Sequence, residues 1–453
     1  MSPIHKYNNY MINYLNLNKL TKDEPYALYR KAIWIYIFLL IFEGALRKWF
    51  LPSLATPLLV IRDPIAIWLT LIGISKGWLN NSYAKAMMVA SSISFLLTLL
   101  IGHQNLYVAL FGWRIYFFHF PMIFVMGKIL SREDILKIGQ FFLWISIPMT
   151  ILIFIQFHSP QTAWVNIGVG GEGTAGFSGA IGYMRPPGTF SFVAGYTSFQ
   201  AVVGCYLLYF LLMNNSLPKE YQFSKIVLIF LAGCYLLSIP TSISRSHFFQ
   251  TGVFLIFLFI AAMRKNKLKS RLLKFAIIAV VAGAILYLSG IGGTSVEAFT
   301  ARFESASESE GGVEGTLGNR YIGGFINSLI NFNIPVFGYG IGLGTNAGSK
   351  ILGGDMWSFG FNGEVEWGRI IGECGMLLGL IIIGIRLFFS LDIWKRAYNL
   401  LVRKYDLLPW MLSAGMMLTV PQGQWAIPTN LGFCILFGGL TLAAVNSKKI
   451  EKR

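Results

Sequence analysis

The chain has 453 residues, of which 55% are hydrophobic and 13% are charged, and its mean hydropathy is +0.60. These values lie outside the range of soluble globular domains and exclude a soluble enzyme or binding module. Lys and Arg number 37 against 20 Asp and Glu, a formal net charge of +17. In a membrane protein such an excess is typical of the cytoplasmic loops, so we expect no nucleic-acid partner.

Apolar segments long enough to cross a bilayer as helices follow one another along the chain. They lie at about 32–46, 57–75, 86–102, 107–127, 137–157, 189–213, 226–243, 248–263, 275–291, 367–389, 407–422 and 429–445. The sequence therefore predicts an all-α polytopic membrane protein, a single integral membrane domain over residues 1–453 with about 12 transmembrane helices. The polar N-terminal arm, residues 1–31, lacks the apolar core of a cleavable signal.

Four basic segments predict the orientation of these helices. Besides the N-terminal arm they are 264–274, 394–404 and 447–453. With both termini in the cytoplasm, all four fall on the cytoplasmic face, as the positive-inside rule requires. This topology places the glycine-rich segment 158–188 outside, together with a large extracytoplasmic loop, residues 292–366, between helices 9 and 10.

Arginines also occur on the opposite face, which the positive-inside rule depletes of them. They are Arg62, Arg114, Arg185, Arg245 and Arg320. Charge within a membrane span is costly and usually faces a cavity or a partner. Guanidinium groups suit phosphate, so the set predicts an anion site near the outer surface. For Arg62, pairing with Asp63 or Glu43 is the alternative.

Four stretches resemble the O-antigen polymerase and ligase superfamily, the Wzy-like and WaaL-like membrane glycosyltransferases. They are RPPGTF at 185–190, SIPTSISRSHFF at 238–249, GNRYIGGFINSLINFNIPVFGYGIGLGTN at 318–346 and EVEWGRIIGECGMLLG at 364–379. Each stretch alone is weakly specific. Their order, with the large loop before the tenth span, carries the resemblance, which covers roughly residues 180–380.

The resemblance implies a GT-C-like, metal-independent enzyme without a cofactor in the bacterial cytoplasmic membrane, with its active site on the extracytoplasmic side. Such enzymes move a glycan from undecaprenyl diphosphate to an acceptor, and a chain-length regulator and a flippase are further candidate partners. Arg185, Arg245 and Arg320 would bind the diphosphate. Arg114 is a further candidate from the charge pattern, and His247 is either a second phosphate contact or a packing residue.

The segment 364–379 departs from the ligase pattern. Ligases of the superfamily usually have a His nine residues before the Glu of Glu-x-Gly, and here that position is Glu364. Glu364 and Glu366 are the best placed bases for the acceptor hydroxyl, and Arg320 would stabilise charge on the leaving diphosphate. Glu366, Arg369 and Glu373 are also spaced for an ion-pair ladder along one helix face, which is the structural alternative.

These observations favour a polymerase that joins lipid-linked oligosaccharide repeats into an exopolysaccharide or O-antigen chain. An O-antigen ligase or protein O-oligosaccharyltransferase would use the same donor. A transporter or flippase of lipid-linked sugars is the alternative from another class. Three tryptophans flank the outer side, and for them membrane anchoring competes with sugar stacking: Trp164, Trp357 and Trp367.

Overall fold

The protein is a helical, polytopic membrane protein. Its computed structural model describes residues 26–174, 176–264, 270, 293–310, 326, 330, 334–353 and 365–450. Within these ranges, nine helices are long and apolar enough to cross a membrane. The predicted all-α membrane class is thereby confirmed. The predicted spans 32–46 and 407–422 correspond to the helices Ala27–Ala45 and Leu407–Thr419, which are not among these nine. The predicted span 275–291 lies outside the described residues, so the count of twelve stays a prediction.

The elements follow the predicted segments closely. Besides a four-residue helix at Ala55–Leu58, the helices are α1 (Ala27–Ala45), α2 (Asp63–Ser75), α3 (Ser82–Leu100), α4 (Leu106–Arg114), α5 (Phe120–Ile129), α6 (Arg132–His158), α7 (Val193–Met213), α8 (Lys225–Thr241), α9 (Arg245–Met263), α10 (Gly293–Glu310), α11 (Asn346–Leu352), α12 (Glu366–Lys404), α13 (Leu407–Thr419) and α14 (Pro428–Asn446). The strands are β1 (Phe177–Ala180) and β2 (Tyr183–Arg185), which pair antiparallel. Short π-helical turns follow α1 at Leu46–Phe50 and α4 at Ile115–His119.

Polar residues start several of these helices. Ser131 caps α6 in a capping box, in which its hydroxyl accepts from the Asp134 backbone N–H and the Asp134 carboxylate accepts from the Ser131 N–H. Asn81 caps α3 by accepting from the backbone N–H of Ala84. These caps satisfy backbone donors that would otherwise be left unpaired at the helix ends.

Side-chain contacts define one end of the helix bundle, which we call the basic end. Arg30 pairs with Asp134 at 3.1 Å, and Arg132 pairs with Asp406. The first pair joins the first turns of α1 and α6, and the second joins the first turn of α6 to the turn between α12 and α13. Arg264, Arg396 and Lys449 also lie at this end, where they donate to the Tyr398 hydroxyl, the Asn446 side chain and the Lys404 carbonyl.

The opposite end, which we call the loop end, carries the longer connections. They include residues 159–192, which contain the β1–β2 hairpin, and the helices α10 and α11. The Thr189 hydroxyl donates to the Ile41 carbonyl at 2.7 Å, and the Arg62 guanidinium donates to the Pro428 carbonyl at 2.7 Å. The first bond fastens the loop after β2 to the end of α1, and the second fastens the start of α14 to the start of α2.

α12 is a helical hairpin rather than the single span predicted at 367–389. Gly375 has φ +75°, a conformation that breaks the helix. Glu366 and Arg386 are 20 residues apart, about 30 Å along a straight helix, yet their side chains meet at 2.6 Å. The segment before Gly375 therefore folds back along the longer segment that follows it.

Small residues let α14 pack closely against α5 in the centre of the bundle. A Cβ added at Gly438 would lie 2.8 Å from the Ile123 side chain, and one added at Gly439 would lie 2.7 Å from the Met126 side chain. Close approach through glycine is a common way to associate helices in a membrane, where burial of apolar surface supplies little drive.

Candidate functional site

A small apolar cluster at the loop end joins four separate parts of the chain. It contains Phe157 at the end of α6, Ile243 between α8 and α9, and Ala298 of α10, with Tyr183 of β2 packed against it. The rings of Phe157 and Tyr183 stack in parallel at 4.7 Å. The cluster therefore fixes the hairpin, the α8–α9 turn and α10 relative to one another.

Two arginines project from the elements that this cluster fixes. Arg185 lies two residues after Tyr183 in β2, so both side chains are on one face of the strand. Arg302 lies four residues after Ala298 in α10, so both share one face of the helix. Because both arginines share a face with a residue of this cluster, their guanidinium groups lie in the same region.

The third arginine follows a strained turn. Ile243 is β-branched, yet it has φ +47°, a conformation that such residues rarely adopt. Its side chain is 1% exposed, and burial in the cluster keeps it in place. Ser244 then caps α9 by accepting from the His247 N–H, and its hydroxyl lies 3.2 Å from that of Thr197 in α7. Arg245 is thereby held at the first turn of α9, and strain of this kind is typical of functional sites.

The charges of Arg302 and Arg245 act on Arg185. Burial, and to a smaller extent the positive charges of Arg302 and Arg245, lowers the pKa of Arg185 to about 10. The Arg185 Nε donates to the Ser178 carbonyl at 3.1 Å, and its guanidinium lies 4.8 Å from the centre of the Phe177 ring. The site we call the arginine cluster, Arg185, Arg245 and Arg302, therefore concentrates positive charge that an anion would stabilise.

The turn after Arg185 is anchored from two sides. Gly188 has φ +63°, and its N–H donates to the Gln156 Oε1 at 2.8 Å. Its carbonyl accepts from the Lys48 Nζ at 2.6 Å. Pro186 and Pro187 restrict the backbone between Arg185 and this anchor. The arginine is thus carried on a rigid segment.

An aromatic patch adjoins the arginine cluster. Phe248 and Phe249 of α9 contact Phe303 of α10 at 5.7 Å and 5.9 Å between ring centres, and Phe299 lies 5.0 Å from Phe303. Phe248 and Phe249 are 47% and 48% exposed. The patch starts beside Arg245 and Arg302 in sequence and faces outward from a membrane-spanning helix.

Arg114 lies in a different environment from the one the charge pattern predicts. Its Nη1 contacts both carboxylate oxygens of Asp63 at 2.6 Å, and the His119 Nε2 lies 3.1 Å from the same carboxylate. Arg62 similarly meets Glu43 at 3.3 Å, which confirms the pairing alternative for that residue. These buried ion pairs occupy both arginines, and the structure does not bring Arg114 to the arginine cluster.

Glu366 is part of a buried ion network. Its Oε1 accepts from Arg386 at 2.6 Å and from Arg369 at 2.9 Å, and its Oε2 accepts from Arg369 at 3.0 Å. Glu373 accepts from the same Arg369 at 2.7 Å. Because both oxygens of Glu366 already bind guanidinium groups, the geometry favours the ion-pair ladder over a role as catalytic base.

His247 is a packing residue in this structure. It is fully buried, its Nε2 lies 2.9 Å from the Ser238 hydroxyl, and its ring meets Tyr235 edge-on at 5.1 Å. The packing interpretation of His247 is therefore the one that the contacts support. Arg320 and Glu364, the other predicted site residues, lie outside the described residues.

Arg302 was missed by the sequence analysis. It lies within 292–366, which the hydropathy pattern presents as a loop, although residues 293–310 form α10. Phe299 and Phe303, four residues apart around Arg302, are the helical pattern that could have indicated it. Comparison of the chain with protein-family models and with curated proteins finds no match.

Proposed function

We propose that the protein is a polymerase that joins undecaprenyl-diphosphate-linked oligosaccharide repeats into an exopolysaccharide or O-antigen chain. The observation that carries this proposal is the arginine cluster beside the outward-facing aromatic patch. A diphosphate with an apolar tail fits such a site, because the diphosphate is stabilised by positive charge and the tail by an apolar surface. Lipid-linked sugars have this combination of a long apolar chain, a diphosphate and a glycan.

The arginine cluster suits the chemistry of the transfer. The acceptor hydroxyl attacks the anomeric carbon of the donor sugar, a new glycosidic bond forms, and the bond from that carbon to the diphosphate oxygen breaks. Negative charge grows on the leaving diphosphate, and fixed guanidinium groups stabilise it. Their planar forks bind phosphate oxygens in pairs. Arg320 stays a candidate fourth ligand of the diphosphate.

The acceptor proton needs a destination in this scheme. Glu364 remains our candidate general base, since both carboxylate oxygens of Glu366 bind arginines. A carboxylate partly shielded from water would have the basicity that the step requires.

The aromatic patch gives the lipid chain a place to lie. Phe248 and Phe249 face outward from α9, a helix long and apolar enough to cross the membrane. A polyprenyl chain could leave the arginine cluster along this surface and enter the bilayer without crossing polar groups. The glycan would extend the other way, toward the hairpin and residues 159–176.

The charge distribution supports the orientation of the protein. Because cytoplasmic surfaces are rich in Lys and Arg, we place the basic end and both termini in the cytoplasm. The loop end then faces outward from a bacterial cytoplasmic membrane. A ligase would use the same donor at the same place, and the Glu at position 364 is the feature that favours polymerisation.

Chain extension by the purified protein tests the proposal. The protein in liposomes is given the lipid-linked repeat, and the products are separated by length. We expect a ladder of glycans longer than one repeat. Transfer of single repeats only to added lipid A core or to protein would favour the ligase.

Helix breaks within the bundle are the observation that favours transport as the alternative function. Gly375 interrupts α12, and Arg386 donates to the carbonyls of Val420 and Gly423 between α13 and α14 at 2.9 Å and 2.8 Å. Such breaks are typical of transporter cores. Movement of the lipid-linked repeat across liposomes without any lengthening would support this reading.

A further inference from the structure

A pair of tryptophan rings lies at the loop end apart from the arginine cluster. Trp164 is 63% exposed, and its ring lies 5.5 Å from that of Trp49 with an angle of 30° between their planes. The Lys48 ammonium lies 4.4 Å from the centre of the Trp49 ring. Trp49 therefore packs against Trp164, and Lys48 packs against Trp49, while most of Trp164 remains accessible.

One side chain ties this ring pair to the turn that carries Arg185. The Gln156 Nε2 donates to the Val165 carbonyl at 2.9 Å and to the Gly188 carbonyl at 3.3 Å. Val165 directly follows Trp164, and Gly188 lies three residues after Arg185. Because a single amide nitrogen reaches both carbonyls, the two segments lie within a few ångströms of each other.

A second buried amide fixes the backbone next to Trp164. The Asn166 Nδ2 donates to the carbonyls of Gln156, Ser159 and Pro160 at 3.0 Å, 3.2 Å and 3.1 Å. Asn166 itself is 2% exposed. A platform on so constrained a segment binds a rigid ligand without a large loss of conformational entropy.

We propose that Trp164 is a carbohydrate platform on which a pyranose ring of the glycan stacks during transfer. This inference rests on the proposed function, which it deepens by assigning a sugar subsite. The C–H groups on one face of a pyranose carry partial positive charge, and the face of an indole is negative. Arg185 would hold the diphosphate while Trp164 holds a sugar farther along the same substrate.

Membrane anchoring is the competing explanation for an exposed tryptophan near the bilayer surface. Two substitutions separate the explanations. Trp164→Phe keeps an aromatic face, whereas Trp164→Leu keeps apolar surface but removes the π-face. Trp144 of α6 is 50% exposed and provides the matched control, Trp144→Leu. Anchoring predicts that both Trp164 variants behave alike.

The first experiment measures sugar binding without any reaction. The probe is the free oligosaccharide repeat, released by mild acid from the lipid carrier of the cells that make this protein. Saturation-transfer NMR should show binding to the wild type, to Trp164→Phe and to Trp144→Leu, with loss in Trp164→Leu. Equal binding by Trp164→Leu, or no binding by the wild type, would overturn the platform.

The second experiment measures chain extension at varied concentrations of the lipid-linked repeat. Trp164→Leu should raise KM about three- to tenfold with little change in kcat, and Trp144→Leu should change neither. Unchanged KM in Trp164→Leu would overturn the assignment of Trp164 as a platform without contradicting the proposed polymerase function. If the oligosaccharide binds at Trp164 but no protein extends chains, the platform stands and the proposed polymerase fails.

Discussion

The Lys48 Nζ lies 2.6 Å from the Gly188 carbonyl oxygen and donates a hydrogen bond to it across 140 residues of sequence. Lys48 is 1% exposed. Its position is the π-helical turn Leu46–Phe50, an irregularity often found at functional sites. The bond links the end of the first helix directly to the turn that carries Arg185, so Lys48 acts as a positioning residue for the arginine cluster.

Lys48 should make stability depend on pH. Burial lowers the pKa of Lys48 from 10.5 to about 7. Between these two values the unfolded chain holds a proton that the folded protein has released, so stability should rise with pH across that window. Lys48→Met should reduce this rise of stability with pH, as measured by thermal unfolding at a series of pH values. The exposed Lys137→Met variant should keep the wild-type slope, and equal slopes in both variants would contradict the assignment.

The rate of chain extension should depend on the shape of the side chains in the arginine cluster as well as on their charge. Arg185→Lys and Arg302→Lys keep the charge but lose the planar fork. A lost charged hydrogen bond of about 1.5–3 kcal/mol should slow chain extension about tenfold to a hundredfold. Arg396→Lys, at the basic end, is the matched control and should leave the rate unchanged. Wild-type rates in both cluster variants would show that these arginines do not bind the diphosphate.

Glu366 should act on stability rather than on turnover. Glu366→Gln leaves Arg369 and Arg386 without their shared carboxylate in a buried site, which should cost about 3–5 kcal/mol. The exposed Glu220→Gln variant should unfold like the wild type. Activity per folded molecule should fall in Glu364→Gln, our candidate base, and not in Glu366→Gln. A stable Glu366→Gln protein that cannot extend chains would restore Glu366 as the base.

Gly375 should tolerate no side chain. Its φ is +75°, and an added Cβ would lie 2.0 Å from the Val336 carbonyl oxygen. The backbone conformation alone should cost Gly375→Ala about 1–2 kcal/mol, with the clash adding to that. Gly384→Ala is the control in the same helix, because its nearest contact is the Phe388 ring at 3.7 Å. Similar melting temperatures for the two variants would contradict the hairpin in α12.

The orientation can be tested by chemical labelling. Single cysteines at Lys225 and Ser305, in a background without the native cysteines, mark the basic end and α10. An impermeant maleimide added to intact cells should label the cysteine at 305 and spare the one at 225. The reverse pattern would place the arginine cluster in the cytoplasm and exclude polymerisation outside the membrane.

The sequence predicted the helices because apolar segments are visible locally, and it predicted charge pairs between residues close in sequence, but it did not predict the pairing of Arg114 with Asp63. Arg114 and Asp63 are 51 residues apart and form their ion pair only because α2 packs against α5 and the π-helical turn that follows α4. The hairpin in α12 depends on Gly375, which resembles the other glycines of the chain until its φ is known. Arg302 was not predicted for a related reason. It lies in α10, which is too polar for a hydropathy pattern to identify as a helix.

Binding of undecaprenyl diphosphate to the protein in nanodiscs tests most directly whether Arg185, Arg245 and Arg302 hold the donor. The wild type should bind the diphosphate more tightly than undecaprenyl phosphate. Arg185→Gln and Arg302→Gln should each weaken diphosphate binding about tenfold or more, while Arg396→Gln should bind like the wild type. Equal affinity for the diphosphate in the wild type and both cluster variants would contradict the site, as would a wild type that binds neither lipid.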